Sequence, residues 1–348
     1  MRREKIVVMN IDLAEMARRV CAGEAIDRSE ALELLETQGA AAVDLLACAN
    51  HVRHHFHGDA VQFCSIVNAR SGACGEDCRF CAQSARSSSN TPVYPLVEDA
   101  KIALAADRAF AAGATEFCIV TSGRGPHDDA EFERIVEMTR RLSHQGRMRR
   151  CASLGLLTPA MARRLAEAGL QRFNHNIECS ERFFPNLCTT HTWSDRVATI
   201  RALKQAGIEV CSGVILGVGE TLEDRVDAAY ALRDLEVDSV PMNFLSPIPG
   251  TPLENAPRMR PMEILKSIAV YRLILPRAEI RSCGGREANL RTLQPLMYLA
   301  GANGTMIGDY LTTPGRPAAE DVEMVRDLEL RVAEYRDSEN HATAAAGE

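Results

Sequence analysis

The amino-acid sequence predicts an α/β protein built on a (β/α)8 barrel of the TIM type, with an N-terminal helical extension. Three observations carry this. From about residue 61 short β-branched apolar runs alternate with amphipathic helical stretches. Eight such runs fit into roughly 250 residues, the usual size of that barrel. Gly113, Gly169 and Gly207 each end a helical stretch and lead at once into the next run. An open, doubly wound sheet is the competing arrangement, and the strand count favours the closed barrel.

Taken in order, residues 10–57 form a first block, in which the segment 27–58 reads as two short amphipathic helices. Asp27 and Ser29 are cap candidates for the first, and Gly39 interrupts the pair. The expected strands are Val61–Asn68, Thr115–Thr121, Met148–Leu154, Arg172–Ile177, Glu209–Ile215, Ser239–Leu245, Glu279–Cys283 and Gly304–Ile307. Between them fall helical stretches over 96–112, 129–144, 159–168, 194–206, 222–235, 261–275 and 289–300. Ala318–Arg336 reads as a charged amphipathic helix and Asp337–Glu348 as a polar, frayed end. The expected organisation is a helical arm over 1–60, the barrel over 61–317, and a C-terminal helix and tail over 318–348.

The 348 residues are 46% apolar and 25% charged, ordinary for a soluble globular chain. A net charge of -7 gives no basic footprint, so nucleic acid is not an expected partner. No apolar run approaches the length of a membrane span. The start, MRREKIVVMN, is a poor signal peptide, and a cytoplasmic location is expected. Twelve cysteines in such a chain read better as metal ligands than as a disulfide scaffold.

The first strand runs into SGACGEDCRFCAQS, where Cys74, Cys78 and Cys81 lie within eight residues beside Gly72 and Gly75. Thiolates suit iron–sulfur clusters or zinc. Structural zinc needs four ligands, and no fourth Cys or His lies close by. His54, His55 and His57 stand upstream, so counting alone leaves zinc open. The spacing favours a [4Fe–4S] cluster with one open iron.

CxxxCxxC with Phe80 before the last Cys resembles the signature of the radical S-adenosylmethionine superfamily. The resemblance implies that the open iron binds the amino and carboxylate groups of S-adenosylmethionine. One electron from the cluster then yields methionine and a 5′-deoxyadenosyl radical. The protein's part is binding, orientation and exclusion of water.

Cys118, Cys151 and Cys211 fall in the second, third and fifth expected strands. Each alone reads as a buried core thiol; together, they can face one interior volume of a barrel. A second iron–sulfur centre and coincidental packing are both open on this pattern. Arg281, on the seventh strand, would be costly to bury without a counter-charge. Arg286, in the turn after it, serves structure or cofactor binding.

From about Cys64 to Glu320 the blocks SIVNARSGACGEDCRFCAQS, EFCIVTSGRGP, CASLGLL, NHNIECS, VCSGVILGVGE, SVPMNFL, GTPLE, IRSCGGRE and GDYLTTPG are similar to the biotin synthase family. That resemblance implies a [2Fe–2S] cluster on Cys118, Cys151, Cys211 and Arg281. It implies a sulfurtransferase that inserts sulfur between C6 and C9 of dethiobiotin, with the auxiliary cluster as sulfur source and two S-adenosylmethionine per biotin. It also implies a low-potential electron donor such as flavodoxin or ferredoxin, iron–sulfur assembly proteins that rebuild the sulfur donor, and a homodimer. Such a reaction needs the sulfide close to the substrate radical, because proximity must beat side reactions.

In NHNIE, period-2 alternation puts Asn174, Asn176 and Glu178 on one face. By the resemblance, Asn176 and Glu178 address the ribose of S-adenosylmethionine. Arg196 meets its carboxylate, with bidentate pairing as the attraction. Asn174 and Asn243 are candidates for the ureido ring of dethiobiotin, or satisfied interior amides. Tyr310, Thr312 and Thr313 are candidates for its carboxylate. The glycine-rich LGVGE suits a cofactor loop or a plain turn.

Cys283 departs from the family pattern. It stands two residues after Arg281, so a continuing strand would point both inward. The auxiliary centre is then either two-iron with Arg281 or a larger four-iron centre using Cys283. Cys21, Cys48, Cys64, Cys179 and Cys188 receive no ligand role. Competing functions are another radical enzyme, such as a metallocofactor maturase, and a non-catalytic iron–sulfur or zinc protein.

Overall fold

The structure, a computed structural model, describes residues 11–126, 129–143 and 145–335. Three helices come first: α1 (Leu13–Cys21), α2 (Arg28–Glu36) and α3 (Gly39–His57). The sequence reading has only the last two. Asp12 caps α1 by accepting from Ala14 N and Glu15 N, both at 3.0 Å. Asp27 forms a capping box with Glu30 at the start of α2. The arm is tied to the body by buried polar contacts. Tyr230 donates to Ile26 O at 2.6 Å, and Lys266 to Thr37 O at 2.9 Å.

Eight parallel strand positions then close a barrel. They are β1 (Ala60–Arg70), β2 (Glu116–Thr121), β3 (Arg149–Ser153), β4 (Arg172–Asn174), β5 (Glu209–Cys211) with its continuation β6 (Val214–Leu216), β7 (Ser239–Phe244), β8 (Glu279–Ser282) and β9 (Gly304–Met306). β1 pairs with both β2 and β9, so the barrel's sheet closes on itself. Helices α4 (Asp99–Ala111), α5 (Asp129–Ser143), α6 (Pro159–Glu167), α7 (Trp193–Gln205), α8 (Leu222–Asp234) and α9 (Pro261–Ile274) alternate with the strands. Along β2, Phe117 and Ile119 join the large core that the helices share, whereas Cys118 and Val120 cluster separately with Cys151 and Ile66. The period-2 alternation thus turns the second-strand cysteine inward.

The fifth expected strand is divided between β5 and β6 by Ser212 and Gly213. A Cβ on Gly213 would overlap the carbonyl of Pro241. Gly213 N also donates to Asn176 Oδ1 at 3.1 Å, and its carbonyl accepts from Glu178 N at 3.1 Å. Gly213→Ala should therefore cost about 1–3 kcal/mol, the usual penalty of overpacking. A urea unfolding midpoint equal to wild type would show that the backbone yields.

Where a single helix is expected over 289–300, the chain makes α10 (Arg286–Leu290), a 3-10 turn and α11 (Leu296–Leu299). Arg291, with φ +56°, turns the chain out of the first helix, and Pro295 stands at the start of the second. The C-terminal helix is likewise shorter than expected: α12 (Ala318–Asp327) is followed by β10 (Arg331–Val332), which pairs with the start of β1. The frayed end expected over 337–348 lies outside the described residues. Among the described residues no helix is long and apolar enough to cross a membrane.

Candidate active site

After β1 the chain turns sharply through Gly72 (φ +71°) and Ala73 (φ +49°). That positive φ favours glycine at position 72, where a Cβ would also come within 3.2 Å of Pro92 O and Val93 Cα. The loop then closes on itself: Cys74 N donates to Gln83 O at 3.1 Å, Ala85 N to Cys74 O at 2.7 Å, and Cys81 N to Cys78 O at 3.0 Å. Cys74, Cys78 and Cys81 thereby line one cavity of about 200 Å³, together with Asn176, Glu178 and Arg196.

These partners come from the end of β4 and the start of α7. Glu178 has φ +67°, an uncommon conformation outside glycine. Burial pushes its pKa up, against the pull of Arg196. Thr192 and Asp195 form a capping box that fixes where α7 begins, and Arg196 follows in its first turn. Arg196 Nη1 donates to Asn176 O at 2.8 Å and to Glu178 Oε1 at 3.3 Å; its Nε donates to His191 Nε2 at 2.9 Å. Nη2 has no protein partner among the described residues. The fork anticipated for bidentate pairing is thus largely engaged within the protein.

A second cavity of about 360 Å³ shares Phe80, Asn174, Asn176, Glu178 and Leu311 with the first. Asn243, Cys283, Tyr310 and Thr313 also line it, while Thr312 lines neither. Asn243 holds the wall itself: Nδ2 donates to Val214 O at 3.3 Å, and Oδ1 accepts from Gly284 N at 3.0 Å.

Deeper in the barrel lie the interior thiols. Cys118 is in register with Cys151, Asn174 with Cys211, and Arg281 is buried on β8. Burial pushes the thiols of Cys118 and Cys151 well above their ordinary pKa. Cys283 is pushed up to about 12, chiefly by burial and then by Cys211, with Arg281 opposing. Cys64, which sequence reasoning set aside, belongs here too. Its thiol is raised by burial and Glu116, feels Arg281 in the opposite sense, and is raised further by Cys283 and Cys211. Its place on the first strand, two residues before Ile66, was the available signal. Arg281 is mostly engaged: Nε donates to Ser239 Oγ at 2.9 Å, and Nη2 to Glu116 at 2.6 Å and to Glu279. Its Nη1 is buried without a partner, a donor left for an anionic or sulfur acceptor.

Other sequence candidates resolve as structure. Arg286 makes a two-oxygen pair with Asp321, at 2.9 and 2.7 Å. In LGVGE the Glu220 carboxylate caps its own turn by accepting from Gly217 N and Val218 N. Cys188, also set aside, borders the cluster loop: its Sγ lies 3.2 Å from Asp77 Oδ1 and 3.3 Å from His191 Nδ1.

The model of the Radical SAM superfamily matches residues 69–231, and that of the Biotin and Thiamin Synthesis associated domain matches 241–331. The chain is 52% identical over 311 residues to the biotin synthase of Heliobacterium modesticaldum, covering 89% of this chain and 95% of that one. It is 50% identical to the biotin synthase of Geobacter sulfurreducens, covering 91% and 96%. Among solved structures, methylornithine synthase superposes with a TM-score of 0.81 at 21% identity, covering 92% and 97%. At that identity the likeness speaks for the fold alone.

Proposed function

We propose a role for each group of the site on one premise: the chain belongs to the biotin synthase family of the radical S-adenosylmethionine superfamily. It is accordingly an enzyme of biotin formation, dependent on iron–sulfur chemistry and S-adenosylmethionine. The observation that carries the finer reading is the pair of joined cavities, with loop thiols at one end and interior thiols beyond the other.

The residues present fit the groups the family implies. Cys74, Cys78 and Cys81 would hold a [4Fe–4S] cluster with one open iron. Cys118, Cys151 and Cys211 would hold the auxiliary one, with Arg281, Cys283 or Cys64 completing it. When bound, these groups would supply radical initiation and sulfur. Arg196 Nη2, Asn176 and Glu178 would bind the carboxylate and ribose of S-adenosylmethionine. Dethiobiotin would lie in the second cavity. Asn174, with the hydrogen-bonding capacity Asn243 has left, faces its ureido ring. Tyr310 and Thr313 face its carboxylate. Phe80, Ile215 and Leu311 give that cavity apolar walls that exclude water around a reactive carbon.

Two features favour the four-iron version of the auxiliary centre. Arg281 has only its Nη1 left over from Glu116, Glu279 and Ser239, and Cys64 and Cys283 add two thiols to the same interior. A low-potential electron donor such as flavodoxin or ferredoxin, a cluster-assembly partner and a homodimer complete the proposal.

Anaerobic incubation with dethiobiotin, S-adenosylmethionine and a reductant is expected to give biotin with about two 5′-deoxyadenosines each, one per unactivated C–H bond broken. Deoxyadenosine without biotin would keep the radical chemistry and reject the substrate.

A further inference from the structure

The guanidinium that faces the proposed S-adenosylmethionine site is oriented by a chain leading back into the cluster loop. Arg196 Nε, at 2.9 Å from His191 Nε2, is always a donor, because a guanidinium does not deprotonate in proteins. His191 Nε2 must therefore be the acceptor, and a neutral imidazole then carries its proton on Nδ1. That Nδ1–H donates to the Glu76 carboxylate. Glu76 stands two residues from both Cys74 and Cys78, and its other hydrogen bond on Oε2 comes from Thr190 Oγ1 at 2.6 Å.

The loop before α7 is clamped to the same segment. Asp77 Oδ1 accepts from Thr189 N at 2.8 Å and Thr190 N at 3.2 Å, and Arg79 N donates to Leu187 O at 2.9 Å. His191 is buried, with its ring 5.5 Å from that of Phe184. The Arg196 guanidinium lies 5.5 Å from that same Phe184 ring. Ring and guanidinium are thus held by packing as well as by hydrogen bonds.

Glu76, Cys188 and His191 also bring their ligand atoms within 4.8 Å of one another, a spacing that a metal ion could use. The tautomer argues against this. A metal would need the Nδ1 lone pair, and the donor on Nε2 leaves Nδ1 protonated.

We propose that His191 and Glu76 are positioning residues for S-adenosylmethionine, locking Arg196 in register with the loop that carries Cys74, Cys78 and Cys81. The inference rests on the reading of Arg196 as the carboxylate contact. One link spans the distance between the carboxylate's anchor and the iron site, so a shift of the loop moves the anchor with it. Outer partners that orient a metal's ligands change affinity about 10- to 100-fold when removed, and the same orienting role is proposed here for a guanidinium.

The test uses the full chain, reconstituted anaerobically, with S-adenosylmethionine affinity read from the change it causes in the EPR spectrum of the reduced cluster. His191→Ala should weaken binding about tenfold or more. KM for S-adenosylmethionine should rise in step, with kcat at saturation and KM for dethiobiotin close to wild type. His191→Gln can still offer Arg196 an acceptor near the Nε2 position and should recover most of the affinity. His191→Asn reaches only toward Glu76 and should not. Glu76→Gln should fall between. In an Arg196→Met background, His191→Ala should add nothing, since the effect runs through Arg196.

Wild-type affinity in His191→Ala overturns the proposal. So does equal cluster-iron loss in His191→Gln and His191→Asn, which would make the histidine a clamp for the loop. A wild-type protein that shows no S-adenosylmethionine-dependent EPR change would instead reject the reading of the site on which the proposal rests.

Discussion

Replacing Cys118, Cys151 or Cys211 by alanine is expected to lower biotin formation by about 10²-fold or more while S-adenosylmethionine is still cleaved. The magnitude follows from proximity: displacing a reacting group by about 1 Å alone costs that much, and on the proposed reading a ligand is removed outright. Cys118 and Cys151 sit opposite each other on β2 and β3 inside the barrel, away from the loop that carries Cys74, Cys78 and Cys81. Deoxyadenosine and biotin, measured together, separate the two sites. A parallel fall in both products would mean that the interior thiols support the loop site rather than a separate centre.

The same series decides what completes the interior set. Cys283→Ser and Cys64→Ser are expected to lower iron and sulfide content and change the Mössbauer spectrum of the auxiliary centre. An unchanged centre and unchanged turnover in both Cys283→Ser and Cys64→Ser would leave Arg281 as the fourth ligand and reject the four-iron version. Buried thiols with raised pKa values bind metal only by losing protons. The loading of the interior site should therefore weaken as pH falls.

The barrel was legible because its signals are local. Strand runs, helix-ending glycines and the CxxxCxxC loop can each be read within a dozen residues. For Cys118 the sequence says only that it can face the barrel interior, and the alternation along β2 shows that it does. What escaped depends on contacts distant in sequence. Cys64 precedes the loop cysteines by ten residues on a strand with no special pattern, and only closure of β1 against β9 brings it near Cys283. His191 looks like any loop histidine until α7 places Arg196 beside it. Arg281 was legible as a residue needing a counter-charge. The charge it finds is a carboxylate on β2, 165 positions earlier in the chain, a pairing set by the barrel.

That carboxylate carries the largest stability effect expected here. Glu116 is buried, and one of its oxygens accepts from Arg172 at 2.5 Å, Arg149 at 2.6 Å and Arg281 at 2.6 Å. Glu279 meets the same three arginines, and Glu209 pairs with Arg149 and Arg172. Three positive and three negative groups balance beneath the interior thiols. Glu116→Leu would leave one buried cation uncompensated. The loss of unfolding free energy should be about 3–5 kcal/mol, as for breaking other buried pairs from one side, read by urea denaturation. Burial raises the Glu116 pKa, but the guanidiniums of Arg281, Arg172 and Arg149 outweigh it and hold the carboxyl below its ordinary value. A depressed carboxyl contributes stability that is complete above its unfolded pKa of about 4.3 and is lost as pH falls through the lower folded value. Wild type should therefore lose stability below that pH, and Glu116→Leu should have a shallower acid limb. If the variant unfolds in acid as steeply as wild type, Glu116 does not govern the acid limb, and Glu279, which meets the same arginines, carries it instead.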